Sequence, residues 1–209
     1  MHSPDARILI FAKAPVAGRV KTRLIPALGP QGAADLHKRL LLSTVARLGT
    51  ARVAPIELWC APDPGQDPFP ELADRYGVAL CGQRGADLGE RMYHAARDAL
   101  CRCEKVLLIG TDCPLLDAGY LRRAMEALKE HEAVLGPAQD GGYVLLGLKR
   151  AAGGLFRDMP WGGDRVAAIT RDRMAAGGWK WAELPILWDL DRPDDLERML
   201  PSFRPWRAV

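Results

Sequence analysis

Ile8-Leu-Ile-Phe-Ala-Lys-Ala-Pro-Val-Ala-Gly-Arg-Val-Lys-Thr-Arg-Leu24 is the stretch whose reading decides the fold. Ile8 to Phe11 is a short, continuous apolar run bounded by loop signals, which reads as a buried strand. The chain then turns basic and is marked by Gly and Pro from Ala14 to Pro30. Leu41, Val45 and Leu48 fall at i, i+4 and i+7, so an amphipathic helix is predicted over 31–48. Strand, loop and helix repeat outward from there. Ile56–Cys60 is the next strand, and Pro62, Pro64, Pro68 and Pro70 then break structure. Val78–Cys81 reads as a short strand, and Leu88, Met92, Ala95 and Ala99 share one helical face. Val106–Ile109 is a central strand, and Leu121, Met125 and Leu128 mark a third helix. Ala133–Leu135 and Tyr143–Leu148 are strands on either side of a Gly-containing turn. A helix at 164–176, a strand at 181–187 and a helix at 192–199 complete the series. Alternating strands and helices imply a three-layer α/β/α sandwich with a mostly parallel sheet. Such sheets bind ligands where loops leave the carboxyl ends of strands.

The 209 residues amount to about one domain, taken as 1–209. The composition, 48% hydrophobic and 26% charged, excludes a disordered or fibrous chain. A balance of 29 basic against 26 acidic residues does not advertise a nucleic-acid binder. No apolar run approaches the ~20 residues of a membrane span. No signal peptide is visible and the five cysteines are odd in number, so a cytoplasmic, reducing location is expected. Cys101 and Cys103 make a CxC pair with no histidine cluster nearby. They are read as plain helix residues rather than zinc ligands. The histidines form no HxxxH or HExxH, and no GxGxxG follows the first strand.

Five segments carry chemistry. The basic loop places Lys13, Arg19, Lys21 and Arg23 among the small residues Ala12, Ala14, Ala17 and Gly18. Arg offers a planar fork and Lys a point charge, so the loop reads as a phosphate cradle or else a solvated basic loop. Leu107-Leu-Ile-Gly-Thr-Asp-Cys-Pro114 ends a strand at Gly110 and Thr111 with Asp112, a carboxylate placed for a divalent ion on a diphosphate or for a turn cap. Gly136-Pro-Ala-Gln-Asp-Gly-Gly-Tyr143 offers Asp140 as an acid/base or substrate-binding group, with a plain hairpin turn as the other reading. In Trp188-Asp-Leu-Asp-Arg-Pro-Asp-Asp-Leu196, Asp189 and Asp191 face one side of an extended segment. Asp191 is the second candidate metal ligand, while Asp194 and Asp195 suit a helix start. In Gln83-Arg-Gly-Ala-Asp-Leu-Gly-Glu-Arg-Met92, Gln83 and Arg84 precede a helix and are placed to read a base. Asp87 fits either the nucleotide or a capping box with Glu90.

The order of these segments closely resembles the bacterial glycosyltransferase family linked with arsenosugar biosynthesis. The resemblance runs from FAKAPVAGRVKTRL through GADLGERM, IGTDCP and GPAQDGGYVLLGL to DLDRPDDL, from about Ile8 to Leu196. It implies a GT-A, nucleotide-diphosphosugar transferase fold. It implies that Asp112 holds Mg²⁺ or Mn²⁺, although a single acid replaces the common Asp-x-Asp. Lys13, Arg19 and Lys21 stand where related nucleotidyltransferases grip phosphate. Gly141, Gly142 and Tyr143 would line the sugar or acceptor site together with Trp161. Gly162 and Gly163 follow Trp161 where the family often has Ser-Thr.

The expected function is sugar transfer from a nucleotide-diphosphosugar to a small-molecule acceptor. Lys13, Arg19, Lys21 and a metal on Asp112 and Asp191 would neutralise the leaving diphosphate, and Asp140 would deprotonate the acceptor. The alternatives are a guanylyltransferase-like nucleotidyltransferase releasing pyrophosphate and a nucleotide-binding module without turnover.

Overall fold

The computed structural model describes residues 5–198. In chain order the elements are β1 (Ala6–Lys13), α1 (Ile25–Ala51), β2 (Ile56–Ala61), α2 (Phe69–Tyr76), β3 (Ala79–Gly82), α3 (Leu88–Leu100), β4 (Lys105–Ile109), α4 (Ala118–Glu130), β5 (Ala133–Pro137), β6 (Tyr143–Leu148), α5 (Val166–Ala176), β7 (Trp181–Glu183) and α6 (Pro193–Glu197), with short 3-10 turns at Thr22–Leu24 and Gly153–Leu155. The strands form one seven-stranded sheet in the order β3-β2-β1-β4-β6-β5-β7. Only β6 runs against its neighbours; the β1–β2, β1–β4, β2–β3 and β5–β7 pairs are parallel. The expected three-layer architecture is therefore the observed one.

Strand geometry explains why the strands read as apolar runs. Successive side chains alternate faces, and both faces here are covered. Ile8, Ile10 and Ala12 pack with Leu41, Val45, Tyr120 and Leu121 of α1 and α4, while Leu9 packs on the opposite side with Met92, Ala96 and Met174 of α3 and α5. Burying each such aliphatic side chain contributes roughly 1.5–3 kcal/mol.

The departures from the predicted elements have local causes. The prolines at 62–70 conceal α2: Pro68 is its N-cap and Pro70 lies in its first turn, where a missing N–H breaks no helical bond. Gly77 then stops α2 in the left-handed region, at φ 63°. The first helix begins at Ile25 rather than 31, but Gly29 (φ 69°, ψ 167°) interrupts it before Pro30. Its uninterrupted part thus starts where the periodicity begins. The predicted 181–187 strand ends at Glu183, and beyond Pro185 only Leu187 bridges back, to Ala138. The last helix starts at Pro193, and residue 199 of its predicted span lies outside the described residues. Cys101 and Cys103 are not helix residues. Leu100 ends α3, Cys101 is its C-cap, and Cys103 donates its thiol to the carbonyls of Ala99 and Lys105 in the following bend.

Candidate functional site

The carboxyl ends of β1, β2 and β4 open onto one cleft, and the reversed β6 brings its N-terminal end to the same edge, since Ile109 pairs with Leu145. The Gln83 amide ties three chain segments there. Its Nε2 donates to Trp59 O at 2.8 Å and Ala12 O at 3.2 Å, and its backbone N–H donates to Cys60 O. With both amide hydrogens taken, the carbonyl Oε1 is what Gln83 offers to a ligand. A cavity of about 670 Å³ lies against Lys13, Arg19, Gln83, Arg91 and Asp112. Beside it a hollow of about 600 Å³ is walled by Ala14, Val16, Val20, Ala61 and Pro62. Lys13 and Arg19 are exposed. Arg91 donates Nε to Gly85 O at 3.1 Å, which leaves its two terminal nitrogens for the cavity it lines.

Two residues past the exposed Gly18–Arg19 turn, the basic loop folds inward. Lys21 adopts left-handed φ of 47°, and its side chain is only 2% exposed. Its ammonium donates to Leu190 O at 2.5 Å and lies 2.8 Å from Asp112 Oδ1 and 3.7 Å from Asp191 Oδ1. Arg23 donates Nη1 to Asp191 Oδ2 at 2.6 Å and Nη2 to Gly162 O at 3.2 Å. The Leu190 N–H donates in turn to Asp112 O at 2.9 Å, which fixes the acidic segment alongside the end of β4. His37, from the buried side of α1, bonds Lys13 O through Nε2 at 3.0 Å and places Nδ1 3.9 Å from Asp112 Oδ1. A carbonyl only accepts, so Nε2 carries a proton there, and Nδ1 is the ring nitrogen turned toward Asp112.

The charges respond to this packing. Burial works against ionisation of Asp112, but Lys21, His37 and Lys13 together hold its carboxyl below the usual value. Burial lowers His37, against the pull of Asp112. Asp189 is pushed up to about 7, first by burial and then by the negative charges of Asp112, Asp140 and Asp191.

A second cavity, of about 290 Å³, adjoins the acidic edge, lined by Phe11, Met92, Tyr143, Trp161, Asp140 and Asp189 among others. Tyr143 and Trp161 meet edge to face, with ring centroids 6.4 Å apart, and burial raises the Tyr143 phenol above its usual value. Asp140 is exposed, and its Oδ1 accepts the Gly142 N–H at 2.9 Å, the turn geometry that Asp-Gly-Gly favours. Gly141 has φ 87°, and a Cβ there would lie 1.8 Å from Asp164 O, so no larger residue fits. After Trp161, where the family resemblance implies a Ser, Gly162 accepts Arg23 Nη2 through its carbonyl.

Ala12, Lys13, Ala14, Arg19, Gln83, Gly110, Thr111, Asp112 and Asp191 all come to the cleft, as do Asp140, Gly142, Tyr143 and Trp161. Three expectations need correcting. Arg84 is turned onto Asp98 of α3 and does not line the cavity. Gly141 lines neither cavity and sits against Asp164 in a separate hollow. Lys21 does not present its ammonium to the open cleft; that group sits on the carboxylate edge. Asp87, read as a nucleotide contact or a cap, lines the cavity and also accepts the Glu90 N–H at 2.8 Å as the N-cap of α3, while Glu90 takes the Ala86 N–H. Arg23 and Asp189 are named in the sequence reading of their segments but given no role of their own, and Arg91 and His37 go without mention as site residues. Arg91 lies inside a segment already singled out. His37 was detectable as a titratable residue on the stripe of α1 formed by Ala33, Leu40, Leu41 and Thr44, all buried.

Asp112 and Asp191 keep 42% and 31% of their side chains exposed. Among the described residues no three His, Cys, Asp or Glu converge to enclose an ion. An oxygen-only pair open on one side still suits Mg²⁺ or Mn²⁺, since Mg²⁺ commonly takes one or two carboxylates plus substrate phosphates. Among the described residues no helix is long and apolar enough to cross a membrane.

A family model for an uncharacterized protein conserved in bacteria (DUF2064) matches residues 44–163. No curated protein matches the sequence. A crystal structure from Desulfovibrio desulfuricans G20, provisionally assigned as a nucleotide-diphospho-sugar transferase, is 30% identical, with 91% of this chain and 84% of that one covered and a TM-score of 0.80. A cytidylyltransferase from Leptospira borgpetersenii is 17% identical, with 88% and 76% covered and a TM-score of 0.58. The Rv0371C protein of Mycobacterium tuberculosis H37Rv, in complex with manganese, is 20% identical, with 95% and 99% covered and a TM-score of 0.51. The last two likenesses concern the fold alone.

Proposed function

The chain belongs to the DUF2064 family, and we propose that within it this protein transfers a sugar from a nucleotide-diphosphosugar to a hydroxyl of a small-molecule acceptor. One observation carries the reading. A basic wall of Lys13, Arg19 and Arg91 faces the Asp112–Asp191 edge across a cleft of about 670 Å³, and a smaller, aromatic-walled cavity adjoins that edge. An anion of diphosphate size fits between such walls, with the sugar directed past Asp112 toward Tyr143 and Trp161. The 30% identity to the Desulfovibrio protein points the same way.

In this reading the base lies against Val16, Val20 and Pro62, beside the Gln83 carbonyl. Lys13, Arg19 and Arg91 hold the phosphates and meet the charge that grows on the leaving diphosphate, which is electrostatic stabilisation where charge develops. Asp112 and Asp191 would hold Mg²⁺ or Mn²⁺, as the manganese complex of Rv0371C suggests for the fold, and the ion would supply Lewis-acid neutralisation of the diphosphate. Lys21 and His37 fix the Asp112 carboxylate from behind. Asp140 keeps one oxygen on the Gly142 N–H and presents the other to the cavity, where it accepts the acceptor's proton.

A second reading is nucleotidyl transfer, supported by the fold likeness to the Leptospira cytidylyltransferase. Incubation with UDP-, GDP-, ADP- and dTDP-sugars, and separately with nucleoside triphosphates, each with Mn²⁺ and a panel of hydroxyl acceptors, separates the readings. Free nucleoside diphosphate is the expected product. Pyrophosphate release alone establishes the second reading. Tight nucleotide binding with no product from either series leaves a binding module and overturns both.

A further inference from the structure

Asp191 is the meeting point of two cations that differ in one respect. Lys21 is 2% exposed, and its three donors face Leu190 O, Asp112 Oδ1 and Asp191 Oδ1, so it is built into the wall. Arg23 reaches the other oxygen of Asp191 at 2.6 Å, yet 48% of its side chain is exposed. Both carboxylate oxygens of Asp191 therefore already face positive charge. A divalent ion needs one of them, and the partner able to leave is the half-exposed one.

Arg23 also borders both the diphosphate-sized cavity and the aromatic one. A guanidinium released from Asp191 at that boundary lies next to an anion held by Lys13, Arg19 and Arg91, for which its planar fork is suited. Its second bond, to Gly162 O at 3.2 Å, is a neutral one that phosphate oxygens replace with a stronger, charge-assisted bond.

We propose that Arg23 is an exchangeable counter-ion: it neutralises Asp191 until a divalent cation takes that carboxylate, and its guanidinium then passes to the diphosphate. Cation and diphosphate consequently promote each other's binding, and by linkage the promotion is equal in both directions. The inference rests on the reading of the cleft as a diphosphate site with Asp191 as a metal ligand. It adds that the two ligands are coupled through one residue outside the basic wall.

The experiment titrates metal-stripped wild type, Arg23→Met and Arg23→Lys with Mn²⁺ alone, followed by electron paramagnetic resonance of the free ion. The same three proteins are titrated separately with inorganic pyrophosphate by calorimetry. Removing an internal competitor should tighten Mn²⁺ binding in Arg23→Met by roughly threefold to fivefold, the range set by exposed ion pairs. The same substitution should weaken pyrophosphate binding by a similar factor, with Arg23→Lys between the two. Opposite shifts for the two ligands are the signature of an exchanged partner. Arg23 as a mere cross-link between loops predicts instead a lower melting temperature with Mn²⁺ affinity unchanged, and that result overturns the proposal. Weaker Mn²⁺ binding in Arg23→Met overturns it as well. If wild type shows no measurable Mn²⁺ binding, its appearance in Arg23→Met supports the exchange and its absence there overturns it. Failure of wild type to bind pyrophosphate is a separate result: it removes the diphosphate site, while the Mn²⁺ arm still decides what Arg23 does to Asp191.

Discussion

The two walls of the cleft carry opposite charge and are prepared in opposite ways. On the basic wall Lys13 and Arg19 are exposed, and among the described residues no hydrogen bond or ion pair restrains either head group. On the acidic edge Asp112 and Asp191 are already neutralised, by Lys21 from within and by Arg23 from the cleft. The difference follows from desolvation. An exposed cation is hydrated while it waits for a ligand, whereas carboxylates packed against the end of a buried strand need partners before any ligand arrives. The basic wall is thus poised to receive, and the acidic edge to exchange.

The contrast breaks most severely at Lys21. Lys21→Met should cost about 3–5 kcal/mol in urea unfolding, because it strands the Asp112 carboxylate. Lys13→Met should stay within ~0.5 kcal/mol of wild type in the same assay. Equal costs would mean that the two lysines are not differently built. Next in size is Asp112→Ala, expected to lower nucleoside diphosphate release from a nucleotide sugar by about 100-fold or more. Turnover close to wild type would remove Asp112 from the chemistry.

Asp189 tests the acidic edge without a substrate. Its pKa is raised from 3.8 to about 7 in the fold, so its stabilising contribution is complete below about pH 4 and is lost as pH rises through 7. Asp189→Asn should therefore be more stable than wild type at pH 8 in EDTA, by about 2 kcal/mol after allowing for partial solvent access. That advantage should shrink toward zero near pH 4, and a pH-independent difference would contradict the crowding of charge at Asp189. The smallest effect is on the basic wall: Arg19→Met should weaken pyrophosphate binding roughly 10-fold, the loss of one charge-assisted contact. Melting temperature should hardly move.

Much of the fold is legible in the sequence because both sheet faces are covered, so that Ile8–Phe11, Val106–Ile109 and Tyr143–Leu148 stand out as apolar runs. The α2 helix is not legible, since its N-cap Pro68 and first-turn Pro70 look like breakers to a reading that counts prolines without placing them. The charged segments of the site are legible as composition. Their pairing is not: Lys13 and Lys21 are the same residue in one loop, and only the left-handed turn at Lys21 sends one inward and leaves the other outside. Asp87 and Asp140 show the converse. Local rules already offered a cap and a turn, and both carboxylates make those bonds. His37 escaped because a search for paired histidines overlooks one whose partners, Lys13 O and Asp112, come from the end of β1 and the loop after β4.

The reversed direction of β6 has an evolutionary consequence. A parallel strand in that place would start at the opposite edge of the sheet, and its incoming turn would never meet a ligand. Running backwards, β6 delivers the 138–142 turn to the cleft, while its pairing with β4 and β5 starts only at 143. That turn lies outside the ladder yet is tied down on both sides, to Leu187 through Ala138 and Gln139 and to the start of α5 through the Gly141 carbonyl and the Ala167 N–H. Its length and its glycine are therefore under as much constraint as the strand it introduces.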